Sequence, residues 1–135
     1  YKNIIKEGFK DDINLYIGNV QDLSQLKEFI GGEKIEIKNN TYDLIMCSGV
    51  LEYIKDIKNV ANELQRILKP GGALVISSVC KTVMGKISSK LWKFNMISFD
   101  ELHKSFQGID LTPIQVDSPL IHIKSLRDIY MGIKK

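Results

Sequence analysis

The decisive stretch runs from Asn40 to Val79 and reads NTYDLIMCSGVLEYIKDIKNVANELQRILKPGGALVISSV. It carries two buried-strand patterns with a helix between them. Tyr42 to Cys47 (YDLIMC) is nearly continuous in apolar character, as expected of a strand covered on both faces. From Asp56, a good N-cap, the positions Ile57, Val60, Ala61, Leu64, Ile67 and Leu68 recur at three and four residues, the stripe of an amphipathic helix. Lys69-Pro70-Gly71-Gly72 ends that helix, because proline cannot continue it and glycine supplies the positive φ of the turn. Ala73 to Val79 (ALVISSV) is then a second buried strand. This alternation predicts an α/β domain with a mostly parallel sheet.

Outward from this core the signals are shorter. Upstream, Ile13 to Ile17 reads as a strand ended by Gly18-Asn19, and Tyr1 to Asp12 leaves room for part of a helix over Lys2 to Phe9. Asp22 to Ile30 predicts a short helix with Leu23, Leu26 and Ile30 on one side, stopped by Gly31-Gly32. Glu33 to Ile37 alternates charged and apolar residues, which suits a half-exposed edge strand before the Asn39-Asn40 turn. Downstream, Lys81 to Met96 is basic, holds the only tryptophan, Trp92, and has no clean period; a helical insert or lid is expected there. Ser98-x-x-Glu101 is a capping box, so a helix should run to about Phe106 and close at Gly108. Leu111 to Val116 and Asp128 to Ile133 are strand-like and are joined by a loop containing Pro119.

Bulk properties bound the function. With 135 residues, 44% apolar and 26% charged, the chain can bury one core, which excludes disordered and collagen-like classes. Its longest apolar runs are far below the ~20 residues needed to cross a bilayer, so no membrane partner is expected. The start, Tyr1-Lys2-Asn3, has no Met and no signal-peptide pattern, and reads as the middle of a longer sequence. Cys47 and Cys80 sit singly in apolar stretches, away from any paired or metal-ligand spacing, which implies reduced thiols, a cytoplasmic location and no metal centre. Residues 1–80 carry ten basic and eleven acidic groups, and residues 81–135 nine and five. The excess, with Lys81, Lys86, Lys90 and Lys93 in an acid-free stretch, is read as a solvated face; nucleic acid is not an expected partner.

The residues of the Asn40 to Val79 stretch resemble the class I S-adenosylmethionine-dependent methyltransferase family. The aromatic-acid pair Tyr42-Asp43, the buried strand, a small polar residue at its end, Val50-Leu51-Glu52-Tyr53, and a helix ending in Leu68-Lys69-Pro70-Gly71-Gly72 are similar to that family's fourth strand, fourth helix and fifth strand. The resemblance implies a Rossmann-like fold with an antiparallel pair of strands at its C-terminal edge, and it runs loosely over residues 3–135. Residues 1–135 are thereby expected to form the C-terminal portion of a single methyltransferase domain.

Ligands of open parallel sheets sit outside the carboxyl ends of the strands, which is where Cys47, Ser48 and Gly49 fall. The resemblance assigns Cys47 and Ser48 to the adenosyl and methionyl parts of S-adenosylmethionine, with Gly49 letting the backbone come close. No basic partner near Cys47 marks it as a nucleophile. Tyr16 to Leu23 is similar to the family's third strand and the following loop, placing Asn19 and Val20 at the adenine; Asn19 equally suits a plain turn. Tyr53 and Trp92 are the candidates for the acceptor side, whereas His103 and His122 are read as surface or structural. The acceptor implied is a small molecule, since the Pro-Pro-aromatic stretch of amino-methylating nucleic-acid enzymes is absent after Cys47-Ser48.

The family's glycine-rich loop and the acid closing its second strand have no counterpart here, and Gly31-Gly32 follows a predicted helix instead of linking strand to helix. The chain alone is therefore expected to be an inactive fragment. Without neighbours, the Tyr42 to Cys47 strand should keep an unpaired edge, inviting the upstream strand, a second copy in a homo-oligomer, or a separate piece. A non-catalytic remnant acting as an interaction module is the alternative function, and a dinucleotide oxidoreductase is disfavoured by the lack of any G-x-G-x-x-G.

Overall fold

Residues 6–8, 12–79, 83–114 and 127–135 are described by the computed structural model, the Met84 side chain excepted. Cys80, Lys81, Pro119, His122 and most of the anticipated Lys2 to Phe9 helix lie outside the described residues. The chain divides into two compact units, Tyr1–Lys38 and Asn39–Lys135.

In the first unit, β1 (Tyr16–Asn19), β2 (Asp22–Glu28) and β3 (Lys34–Ile35) form an antiparallel sheet in the order β1-β2-β3. This corrects two expectations: residues 22–28 are a strand and not a helix, and the first strand sits in an antiparallel hairpin instead of a parallel sheet. The physical reason is cross-strand pairing. Tyr16 pairs with Glu28 and Ile17 with Lys27, while Leu26, the buried apolar residue among those described in this unit, lies against Gly18, where any Cβ would overlap the leucine side chain. Local hydrogen bonds also compete with a helix. The Asp22 carboxylate accepts from the Ser24 amide at 3.1 Å and from its hydroxyl at 2.6 Å, the pattern of a turn-forming acid.

The second unit opens with β4 (Tyr42–Ser48), passes through a 3-10 turn (Leu51–Tyr53) and α1 (Ile57–Ile67), and returns as β5 (Leu68–Val79). The βαβ reading holds: β4 and β5 are parallel, with Ile45 beside Leu74 and Ser48 beside Ser77. Asp56 caps α1 by accepting from the Asn59 amide at 3.3 Å. The helix buries Ile57, Val60, Ala61, Leu64 and Ile67 of the predicted stripe, whereas Leu68, its last predicted member, is already extended and opens β5. Pro70-Gly71-Gly72 falls within β5, in a bulge where the register jumps from Leu68 to Ala73 against only two residues of β4, with Gly71 at φ 75°.

Beyond β5 come α2 (Val83–Trp92), α3 (Phe99–Ser105), β6 (Thr112–Ile114) and β7 (Arg127–Ile133). Ser98 caps α3 as anticipated, accepting from the Glu101 amide at 3.3 Å. The four-stranded sheet has the order β4-β5-β7-β6, and β7 runs antiparallel to both neighbours. The antiparallel edge pair is thus present. The expected mostly parallel sheet is a mixed one, with a single parallel pair among the described strands.

Leu68, Leu74, Ile76, Leu102, Phe106, Ile109 and Leu111 form the core of this unit, and the Phe99 and Tyr130 rings stack at 5.3 Å to join α3 to β7. Lys134 completes the closure: its ammonium donates to the carbonyls of Gln65 and Leu68 and to the Asn40 side chain at 2.7–3.0 Å. No described helix is long and apolar enough to cross a membrane.

Candidate functional site at the carboxyl ends of the parallel strands

The lip of the β4–β5 pair is built as its sequence demands. Gly49 leaves β4 at φ 66°, a conformation costly for a residue with a Cβ, and its amide donates to the Ser77 carbonyl at 3.1 Å. The chain then turns through Leu51–Tyr53 toward α1. Cys47 is buried just inside the lip, Ser48 is exposed at its tip, and Gly49 is half-buried. Burial, reinforced by the charge of Glu52, pushes the Cys47 thiol from 9.0 up to about 11. Such a thiol stays protonated at neutral pH and is a poor nucleophile.

A buried carboxylate beneath the lip organises the surroundings. Glu52 is 1% exposed; its Oε1 accepts from the Val79 amide at 3.0 Å, and its own backbone carbonyl accepts from the Asn95 amide at 2.8 Å. Its Oε2 and the Ser78 hydroxyl are buried without a hydrogen-bond partner among the described residues. Arg127, the first residue of β7, approaches from the side: one guanidinium nitrogen lies 4.0 Å from Glu52 Oε1 and 3.4 Å from the Ser77 hydroxyl. A Cβ on Gly49 would stand 3.2 Å from the other terminal nitrogen. The cation therefore rests against the lip.

Next to this network is a cleft of about 290 Å³ lined by Tyr53, Val79, Ser88, Trp92, Phe94 and Arg127. It unites the two residues anticipated for the acceptor side, Tyr53 and Trp92, across 39 positions of sequence. Tyr53 and Phe94 meet edge to face with ring centroids 6.0 Å apart. Phe94 is held by Ser89, whose hydroxyl donates to its carbonyl at 2.6 Å.

Asn19 and Val20 are carried by the first unit, at the end of β1 and in the turn after it. The Asn19 side-chain oxygen accepts from the Gln21 amide at 3.0 Å, so it makes the turn its residue type favours. His103 is exposed on α3, in ring contact with Phe99 at 5.7 Å. Sequence reasoning missed Arg127 and the role of Glu52. A charged residue inside the apolar run Val50 to Ile54 was the available sign for Glu52; Arg127 had none, being 50 residues from the serine it meets.

A parallel βαβ unit with a glycine-opened lip at its strand ends is the α/β arrangement in which ligands, as a rule, sit outside the carboxyl ends of the strands. Comparison with known proteins specifies the class. The family described as "Methyltransferase domain" matches residues 13–76. A sterol 4-C-methyltransferase of Caenorhabditis elegans is 34% identical over 50 residues, which cover 37% of this chain and 15% of that protein. Among solved structures, geranyl diphosphate C-methyltransferase from Streptomyces coelicolor, in complex with Mg2+, geranyl diphosphate and S-adenosyl-L-homocysteine, aligns over 99% of this chain and 57% of its own, with a TM-score of 0.73 and 12% identity. A SAM-dependent methyltransferase from Thermotoga maritima, described as a possible histamine N-methyltransferase, aligns over 87% and 62%, with a TM-score of 0.62 and 18% identity. In its fold the chain is similar to class I S-adenosylmethionine-dependent methyltransferases, and residues 13–76 match the methyltransferase domain family. It spans less than two thirds of the length of these relatives.

Proposed function

We propose that residues 1–135 are the C-terminal portion of a single methyltransferase domain that transfers a methyl group from S-adenosylmethionine to a small molecule in the cytoplasm. The observation that carries this reading is the lip itself: a parallel β4–β5 pair whose carboxyl end opens through Gly49 at φ 66° beside a ring-lined cleft. The residues present fit the cofactor on this side. Gly49 has no side chain to fill the approach, Ser48 offers an exposed hydroxyl, and Cys47 gives the lip an apolar floor. S-adenosylmethionine supplies a methyl carbon made electrophilic by its sulfonium. The protein's part is to hold an acceptor lone pair in line with that carbon and to keep water away, tasks of alignment that need no strong acid or base. Tyr53, Phe94 and Trp92 suit the second task, and the small-molecule ligand named for the Streptomyces relative supports an acceptor of that kind.

Asn19 and Val20 are assigned to the adenine end, and the glycine-rich element is assigned to protein outside these 135 residues, so this chain by itself turns over no substrate. Calorimetric titration with S-adenosyl-L-homocysteine tests the assignment. Saturable heat in the micromolar range supports it, and no heat at millimolar ligand removes it.

A non-catalytic interaction module is the alternative, and one observation favours it. Strand β4 pairs only with β5 among the described strands, and it leaves Leu44 54% and Met46 73% exposed. An open edge with apolar neighbours is a template for a strand from a second copy.

A further inference from the structure

The cleft beside the lip has an uneven charge. Three of its lining residues are aromatic, and Tyr53 and Trp92 are 62% and 68% exposed, which leaves a large apolar surface in water. Among the described residues, the only charged one lining it is Arg127. Its acidic neighbour, Glu52, lies behind it: the Arg127 side chain is 38% exposed and that of Glu52 2%. Glu52 is also committed to the Val79 amide, and its 4.0 Å separation from the guanidinium is too long for a hydrogen bond. What the cleft presents is thus a cation with spare donors among ring faces.

These features select a ligand. Rings alone would suit a quaternary ammonium. Here such a ligand would have to share a small space with a guanidinium, and no carboxylate among the described residues lines the cleft to offset the repulsion. A planar fork of N–H donors matches the two oxygens of a carboxylate or the oxygens of a phosphate, and exposed rings cover a flat apolar body. At about 290 Å³ the space falls just below the usual range for small-molecule sites, roughly 300–1,000 Å³, and so suits a small ligand.

We infer that the cleft receives the methyl acceptor, and that the acceptor is a small molecule with a flat apolar body and one oxyanion, carboxylate or phosphate monoester, held by Arg127. The inference rests on the methyltransferase reading above for the word acceptor, and on the cleft alone for the ligand class. Glu52 acts as a positioning residue, keeping the guanidinium at the lip. Ser88 offers a hydroxyl from α2 for a second polar contact.

The single tryptophan of the chain lines the cleft, so its emission reports occupancy without any need for turnover. Phenyl phosphate, benzoate, benzyl alcohol and phenyltrimethylammonium are titrated against the 135-residue chain. Phenyl phosphate and benzoate are expected to change Trp92 emission saturably, with Kd values at least tenfold below that of benzyl alcohol, and phenyltrimethylammonium is expected to bind most weakly. Arg127→Gln should weaken the two anions at least tenfold and leave benzyl alcohol within twofold; Arg127→Lys, which keeps the charge and loses the fork, should fall between. Equal Kd values for anion and alcohol, tightest binding of the ammonium, no saturable response, or anion binding unchanged in both variants would overturn the inference. If Arg127→Gln does not fold, the ranking of the four probes and the lysine variant decide. Titration with S-adenosyl-L-homocysteine on the same sample separates the two readings: its heat without probe binding sinks the acceptor class alone, and probe binding without its heat sinks the methyltransferase assignment.

Discussion

Glu52 Oε1 accepts the amide hydrogen of Val79 at 3.0 Å, so a carboxylate on the turn after β4 fixes the end of β5 from 27 residues away. The bond joins the two strand ends that make the lip. Removing the carboxylate leaves a buried N–H without a partner and a void beneath Arg127. Glu52→Ala should cost about 2–4 kcal/mol, from the lost hydrogen bond and the cavity together. Glu52→Gln keeps an oxygen for Val79 and should cost less than half as much. Urea unfolding midpoints measure both, and equal losses would show that the hydrogen bond is not what matters.

The Cys47 thiol gives the fold an alkaline weakness. Unfolded, this thiol ionises near 9.0; folded, burial and the charge of Glu52 hold it to about 11. A folded pKa above the unfolded one contributes stability that is complete below pH 9 and lost as pH rises through 11. The loss should reach about 2–3 kcal/mol by pH 11. Against a Cys80→Ser background, Cys47→Ala should flatten the stability profile between pH 9 and 11. A slope unchanged by the substitution would assign it to other groups.

Gly49 is the position at which the lip is easiest to close. Alanine there would hold a positive φ at a cost of about 1–2 kcal/mol. Its Cβ would also press on the Arg127 guanidinium at 3.2 Å. Gly49→Ala should therefore lower the melting temperature by several degrees and weaken both S-adenosyl-L-homocysteine and benzoate. Full retention of both ligands would mean that the lip does not touch them.

Met46, 73% exposed on β4, reports on the open edge. If a second copy docks there, sedimentation velocity should show concentration-dependent association, and Met46→Lys should return the chain to monomer because a lysine at an edge resists strand addition. A monomer at every concentration in both proteins would remove the homo-oligomer reading.

How far the sequence could be read depended on whether an element was specified locally. α1 was legible because its apolar stripe, its Asp56 cap and its Pro-Gly-Gly stop agree, and each signal lies within a few residues of the helix. The Ser98 cap was legible for the same reason, whereas the antiparallel C-terminal pair was expected from the family resemblance and not from local signals. β2 was misread because Leu23, Leu26 and Ile30 also satisfy a helical period; the strand is decided by pairing with Tyr16–Asn19 and by the room Gly18 leaves for Leu26. At the site, Tyr53 was singled out by the family resemblance and Trp92 by its place in the basic segment Lys81 to Met96, and both line the cleft. Arg127 was not singled out, because its position at the lip comes from the register of β7 on β5, where Ser77 pairs with Ile129 and Val79 with Arg127. Register is a property of the assembled sheet and leaves no mark on a stretch of residues read alone.

That register has a bearing on how the chain comes off the ribosome. β7 is the last of the described strands to be synthesised, yet it occupies an inner place in the sheet, between β5 and β6. Until it emerges, the nascent polypeptide must carry β5 with one flank bare, and the Lys134 ammonium that ties Asn40, Gln65 and Leu68 together has not yet been made. Folding of the second unit is thus held back until β7 has emerged, and the half-built sheet is the species a chaperone would meet.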